Sequence, residues 1–220
     1  MATLPILVSA VAAVDGRDRA TIEHTARIIR EAGFIATGKR GGGAAEMDFA
    51  AAANLLIGLN AADAPKDAPA AIAFIRQLKK RRMANETGWP ILDEVAAAET
   101  FGEALERFLS GAAELFDVAA ALLVTAYGEG HLRQVAVGLG PISFAIEIGR
   151  SSARLALESP GLEKKVQWAE EYTADAFDPA YHQRAGFDRH VTVSVGAPTI
   201  IKIYTTITGE RIECLAEAMA

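Results

Sequence analysis

Arg17-Asp18-Arg19-Ala20-Thr21-Ile22-Glu23-His24-Thr25-Ala26-Arg27-Ile28-Ile29-Arg30-Glu31-Ala32-Gly33 decides how the first half of this chain folds. Ile22, Ala26, Ile29 and Gly33 recur at helical spacing, and Ile28 widens the apolar face. Asp18 is placed to cap the helix, and Gly33 is placed to stop it. The spacing therefore predicts a helix from Arg19 to about Ala32, with charged residues on its outer face. Phe34-Ile35-Ala36 reads as a short extended piece. Thr37-Gly38-Lys39-Arg40-Gly41-Gly42-Gly43 reads as a loop, because so many glycines pack poorly in helix or strand.

Working outward, Leu4 to Val14 reads as a first helix with Pro5 tolerated in its first turn. Asp15-Gly16-Arg17-Asp18 is the turn between the two. A third helix is expected from Asp48 to Asn60. A fourth is expected from Ala68 to Met83, ending in Lys79-Lys80-Arg81-Arg82, cations that suit a helix C-terminus. Asn85-Glu86-Thr87-Gly88-Trp89-Pro90 reads as a linker. Thr100-Phe101-Gly102-Glu103 resembles a capping box, and opens a helical region that continues to about Thr125, with room for one break.

The period then changes. Val135, Val137 and Leu139 alternate, as do Ile142, Phe144, Ile146 and Ile148, with Gly138 to Pro141 as a hairpin turn. Arg154 to Leu157 is a third strand. Glu163 to Ala176 reads as a helix, with Trp168 and Tyr172 on one stripe. Val191, Val193 and Val195 alternate, and so do Ile201, Ile203, Thr205 and Ile207. Glu210 to Met219 closes the chain as a helix. The expected fold class is α+β: an all-helical, helix-turn-helix-like domain over residues 1–85, then a domain of two β-hairpins packed with helices over residues 91–220.

The chain has 220 residues, a net charge of −6 and 51% hydrophobic residues, which fits a globular protein with a substantial core. The charge is unevenly placed. Residues 1–90 hold 12 basic and 9 acidic side chains, or +3, and the remainder hold 10 and 19, or −9. Such asymmetry points to a nucleic-acid-binding segment. Arg17, Arg19, Arg27, Arg30, Lys39 and Arg40 fall within 24 residues and supply several phosphate-directed cations. The competing reading is a solvated helix face. A continuous positive face joining Arg19, Arg27, Lys39 and Arg40 favours DNA; pairing with Glu23 and Glu31 favours the solvated face.

The order of these elements resembles the recognition helix and wing of winged helix-turn-helix transcription regulators. In those families, a helix with small polar residues in its first turns and apolar anchors ends in a glycine-apolar pair, followed by a Gly/Arg-rich wing. Gly33-Phe34-Ile35 and Gly38-Lys39-Arg40-Gly41 follow that order. Thr21 to Leu59 is also similar to a recurrent segment of uncharacterised alphaproteobacterial phage and prophage proteins. There an Arg-Glu-Ala-Gly helix end, a glycine-basic loop and an Asp-Ala-Ala-Asn-Leu-Leu helix occur in turn. Here that helix reads Asp48 to Leu56. The usual motif has two helices ahead of the recognition helix, and only Leu4 to Val14 stands there.

On this reading Arg17, Arg19, Thr21, His24 and Arg27, with Glu23, face the major groove, and Lys39, Arg40 and Gly41 approach the backbone or the minor groove. The implied protein is a phage-related, DNA-binding transcription regulator whose residues 91–220 dimerise or bind a partner. The alternatives are a phage protein that binds a host or virion protein, and a small terminase-like packaging component.

Other chemistry is poorly served. Gly33 to Lys39 matches G-x-x-x-x-G-K, but Arg40 replaces the Ser or Thr that would hold magnesium, and a helix precedes it where a strand belongs. Asp178 and His182, with Asp188 and His190, match known metal-ligand spacings only loosely. Cys214 reads as a buried thiol and has no partner for an internal disulfide. No cofactor, metal or enzymatic activity is therefore expected. The run Leu4 to Val14 lacks a preceding Lys or Arg and is shorter than a bilayer span, so the expectation is a cytoplasmic protein.

Overall fold

The computed structural model describes residues 3–37, 45–81, 87–128, 143–159, 165–174, 193–196, 203 and 207. Together they form a mixed α+β structure.

The first two helices follow the sequence closely. α1 (Leu4–Asp15) stops at Gly16, whose φ of 79° is the left-handed conformation that favours glycine. A three-residue turn leads to α2 (Arg19–Glu31), whose Asp18 cap accepts from the Thr21 N–H at 3.3 Å. α2 ends in a Schellman motif. The Gly33 N–H donates to Arg30 O at 3.0 Å, and the Phe34 N–H donates to Ile29 O at 3.1 Å. Phe34 to Ala36 is not a regular strand, although Ile35 is buried. Thr3 and Glu46 form an isolated antiparallel bridge, which ties the start of α1 to the approach to α3.

α3 (Phe49–Ala61) is the centre of the molecule. Asp48 caps it through the Ala51 N–H at 2.8 Å, and every residue from Ala51 to Ala61 is buried. A helix that is apolar all round needs neighbours all round. α3 has them in α2, in α4 (Ala68–Ile75), in α6 (Phe101–Ser110) and in β2 (Ser143–Ile148). A short 3-10 turn, Pro65–Asp67, leads into α4.

α4 ends well short of the expected Met83. At its end the Gln77 and Leu78 N–H groups bond back to Phe74 and Ile75, and the chain turns. Lys79–Lys80 then forms β1, which pairs antiparallel with β4 (Lys165–Thr173). Tertiary pairing has overridden local helix preference for this basic run. Arg82 and Met83 lie outside the described residues.

α5 (Pro90–Ala96), α6 and α7 (Ala112–Tyr127) follow. The Glu103 N–H donates to Thr100 Oγ1 at 3.3 Å, and Glu103 Oε2 accepts from the Glu99 N–H at 3.3 Å. The expected capping box is thus present in a variant form, with its return bond one residue early. The expected break falls at Gly111, where α6 and α7 bend by 75°.

β2, β3 (Ser152–Ser159), β4 and β5 (Val193–Gly196) make an antiparallel sheet in the order β4-β3-β2-β5, with β1 added beside β4. The helix expected at Glu163 to Ala176 is therefore a strand where it is described. Trp168, Glu170 and Tyr172 alternate toward the helices, while Ala169, Glu171 and Thr173 point away. A spacing of four residues satisfies a strand's period of two as well as a helix turn, which is how Trp168 and Tyr172 misled. Ile203 and Ile207, expected in a strand, have helical backbone for the same arithmetic reason. The strand at Val135 to Leu139, its hairpin turn and the closing helix lie outside the described residues.

α6 is seated on the sheet by aromatic rings. Phe108 stacks on Trp168 at a centroid distance of 6.4 Å and meets Phe144 edge-on at 5.7 Å. Phe101 meets Tyr172 at 5.6 Å. The expected boundary at Asn85 to Pro90 does not separate two cores. β1 lies before it and β4 after it, yet they pair, and α3 packs on α6 across it.

Glu170 is only 2% exposed and lies 2.9 Å from Lys80 Nζ. Lys80 also donates to Ala96 O. Burial holds the Glu170 carboxyl above its ordinary 4.5, against the opposing pull of Lys80. Burial, with Glu170 nearby, likewise holds the Tyr172 phenol protonated far into the alkaline range. Just above pH 4.5 the native state therefore holds more of a proton on Glu170 than the unfolded chain does. Stability from this group is full below pH 4.5 and falls as pH rises through the folded-state value. Denaturant unfolding at stepped pH should show the wild type losing stability relative to Glu170→Gln across that window. Parallel curves, or the opposite slope, would contradict this assignment.

Candidate nucleic-acid interface

The site is built from α1, the turn and α2. α2 buries Ile22, Thr25, Ala26 and Ile29 and turns its other face outward. Arg19, Thr21, Glu23, His24 and Arg27 are all exposed on it. The sequence placed these side chains together, and the structure does so too.

Arg17 is different. Its guanidinium donates to Leu59 O and to Asn60 Oδ1 at the end of α3, and its Nε lies 2.8 Å from Asp15 Oδ1. The first bond satisfies a carbonyl that the helix end leaves open. Arg17 therefore fastens the turn to α3 instead of projecting from the α2 face. The signal for this was available: Arg17 precedes the Asp18 cap, so it belongs to the turn.

Arg19 and Arg27 are paired within the helix. Arg19 Nε lies 2.7 Å from Glu23 Oε1, and Arg27 Nε lies 3.7 Å from Glu31 Oε1. Arg27 Nη2 is also 3.3 Å from His24 Nδ1. This is the pairing that favours a solvated face. All four charged partners are more than half exposed, however, and such pairs contribute only about 0.2–1 kcal/mol each. A phosphate can replace either carboxylate at small cost. Lys39, Arg40 and Gly41 lie outside the described residues.

A cleft of about 300 Å³ runs beside this element, between the first turns of α2 and the end of α3. Arg17, Thr21, Thr25, Asn60 and Asp63 line it. Their hydrogen bonds are largely made within the protein: Thr25 Oγ1 donates to Thr21 O at 2.9 Å, and Asn60 Nδ2 to Leu56 O at 2.8 Å. A second cleft, of about 210 Å³, lies on the sheet face away from α6. Arg81, Glu147, Arg154 and Glu171 line it in mutually neutralising pairs, with Arg154 3.0 Å from Glu147 and Arg81 3.6 Å from Glu171.

Among the described residues, no group of three or more His, Cys, Asp and Glu is placed to hold a metal ion. Asp178, His182, Asp188, His190 and Cys214 lie outside them. No single described helix is long and apolar enough to cross a membrane.

No protein-family model, no curated protein and no solved structure matches the chain.

Arg17 and Arg27 separate a fastening role from a surface role. Arg17→Met should lower the unfolding free energy by about 1–3 kcal/mol, because it orphans partly buried acceptors. Arg27→Met should change it by less than about 1 kcal/mol. Urea unfolding measures both, and equal losses would show that Arg17 does not fasten the turn.

Proposed function

We propose that this chain is a phage-related transcription regulator that binds double-stranded DNA through α2. The observation that carries the reading is the α1–turn–α2 unit, which presents one face of α2 outward. Two helices joined by a three-residue turn containing glycine match the connection of a helix-turn-helix, whose second helix enters a major groove. The outward face carries Arg19, Thr21, His24 and Arg27, side chains able to contact phosphates and base edges. Lys39 and Arg40, which follow α2 in the sequence, add the cations of the glycine loop. The resemblance of this segment to winged helix-turn-helix regulators supports the same reading, as does the mildly basic charge of residues 1–90. A dimer reading two half-sites would compensate for the modest charge of one copy.

One observation favours the second reading, a chain that binds a host or virion protein. Glu23 and Glu31 neutralise Arg19 and Arg27, leaving these four residues with no net charge. A packaging component of the small terminase kind would bind DNA but assemble as a ring.

Gel shifts at two salt concentrations test the proposal, using wild type, Arg19→Ala/Arg27→Ala and Lys39→Ala/Arg40→Ala. DNA should bind at low salt and weaken as salt rises. Each double variant should weaken binding and reduce the salt slope by roughly one for each phosphate left without its cation. No binding at low salt, or binding indifferent to both double variants, would sink the proposal. Light scattering gives the subunit count and separates a dimer from a ring.

A further inference from the structure

α3 carries a polar side chain where its packing has least use for one. Asn54 sits in the middle of the helix, 6% exposed, in a buried run whose other polar side chain, Asn60, lies near its end. Both polar atoms of its amide have a partner. Nδ2 donates to Phe34 O at 2.7 Å, and Oδ1 accepts from Arg76 Nη1 at 2.9 Å.

Phe34 is the residue by which the chain leaves α2. Its N–H closes the Schellman motif onto Ile29, and its carbonyl is the group that Asn54 holds. The two peptide groups flanking Phe34 are thus each fixed, one to α2 and one to α3.

Arg76 settles which way the Asn54 amide points. A guanidinium only donates, so it must face the amide oxygen, and the NH2 group is left to face Phe34. Arg76 is itself held by α6. Its second guanidinium nitrogen donates to Glu106, and its carbonyl accepts from the Gly102 N–H at 3.1 Å. Gly102 also makes the room: a Cβ there would lie 3.1 Å from Arg76 Cβ, Nε and Cζ.

We propose that Asn54 and Arg76 are positioning residues for the DNA-contacting helix, with Arg76 orienting the Asn54 amide and the amide fixing the exit of α2. The proposal rests on the reading of α2 given above. Neither residue lies on the exposed face of α2, so both act through the backbone at Phe34. Through Glu106, the relay also makes the exit of α2 sensitive to the seating of α6 on the sheet.

Backbone hydrogen exchange of the full chain, together with gel shifts, tests it. Asn54→Asp keeps the acceptor for Arg76 but cannot donate to Phe34. Arg76→Met leaves the amide free to flip. Each should speed exchange at Gly33 and Phe34, whose N–H groups are bonded to α2, about tenfold, the upper range for one broken hydrogen bond, while the α6 amides at Leu105 and Phe108 change less. DNA affinity should fall in parallel although every charge on α2 remains. Arg76→Lys, which retains a donor, should recover part of both losses. If Asn54→Asp does not fold, Arg76→Met and Arg76→Lys carry the same comparison.

Exchange that rises equally in α6 and at Gly33 and Phe34, or not at all, would overturn the positioning role. A loosened exit with undiminished DNA affinity would overturn it as well. If wild type itself fails to bind DNA, the reading of α2 falls, and the exchange data alone still decide whether Arg76 and Asn54 anchor the exit.

Discussion

The burial of α3 on every side is the constraint on which the rest of this structure depends. Apart from Asn54 and Asn60, Ala51 to Ala61 presents apolar surface in all directions, and each large side chain such as Leu55, Leu56 or Ile57 gains about 1.5–3 kcal/mol by leaving water. No single layer of neighbours can cover such a helix. The chain answers by bringing α2 and α4 from the first half, and α6 and β2 from the second, around one core. The sheet and the N-terminal helices are therefore one packed unit, and β1 adds a strand from the first half to the sheet of the second.

The proposed function rests on what that arrangement leaves over. α2 meets α3 with one face, so its opposite face is presented to solvent. Gly16 sets the angle of entry, Arg17 fastens the turn to the far end of α3, and Asn54 fastens the exit to its middle. A glycine turn and two separate contacts thus hold a helix whose outer surface makes only weak internal ion pairs. A rigid helix with exchangeable charges on its face is suited to a polyanionic partner.

Much of this was legible in the sequence. The ends of α1 and α2 followed from Pro5, Gly16, Asp18 and Gly33, because caps and stops act locally. β2 and β3 followed from alternation. The failures share two physical causes. Trp168 and Tyr172, and again Ile203 and Ile207, lie four apart, a spacing that helix and strand both satisfy. Lys79 and Lys80 look like helix-terminal cations, and only pairing with a strand some 90 residues later makes them β1. The linker at Asn85 to Pro90 was read from local composition, which carries no information about a core shared across it. At the candidate site, the exposed residues of α2 were legible from periodicity. That Arg17 belongs to the turn was legible from the Asp18 cap; its partners on α3 and the relay through Asn54 and Arg76 were not, because they lie 20 to 43 residues away.

The central claim is that the outward face of α2 is the surface that meets DNA. An amide chemical-shift titration of the full chain with a short duplex at low salt tests it most directly. The account predicts shifts concentrated at Arg19, Thr21, Glu23, His24 and Arg27, with the buried residues of α3 and the sheet unmoved. Shifts confined to the sheet, or none at saturating duplex, would contradict it.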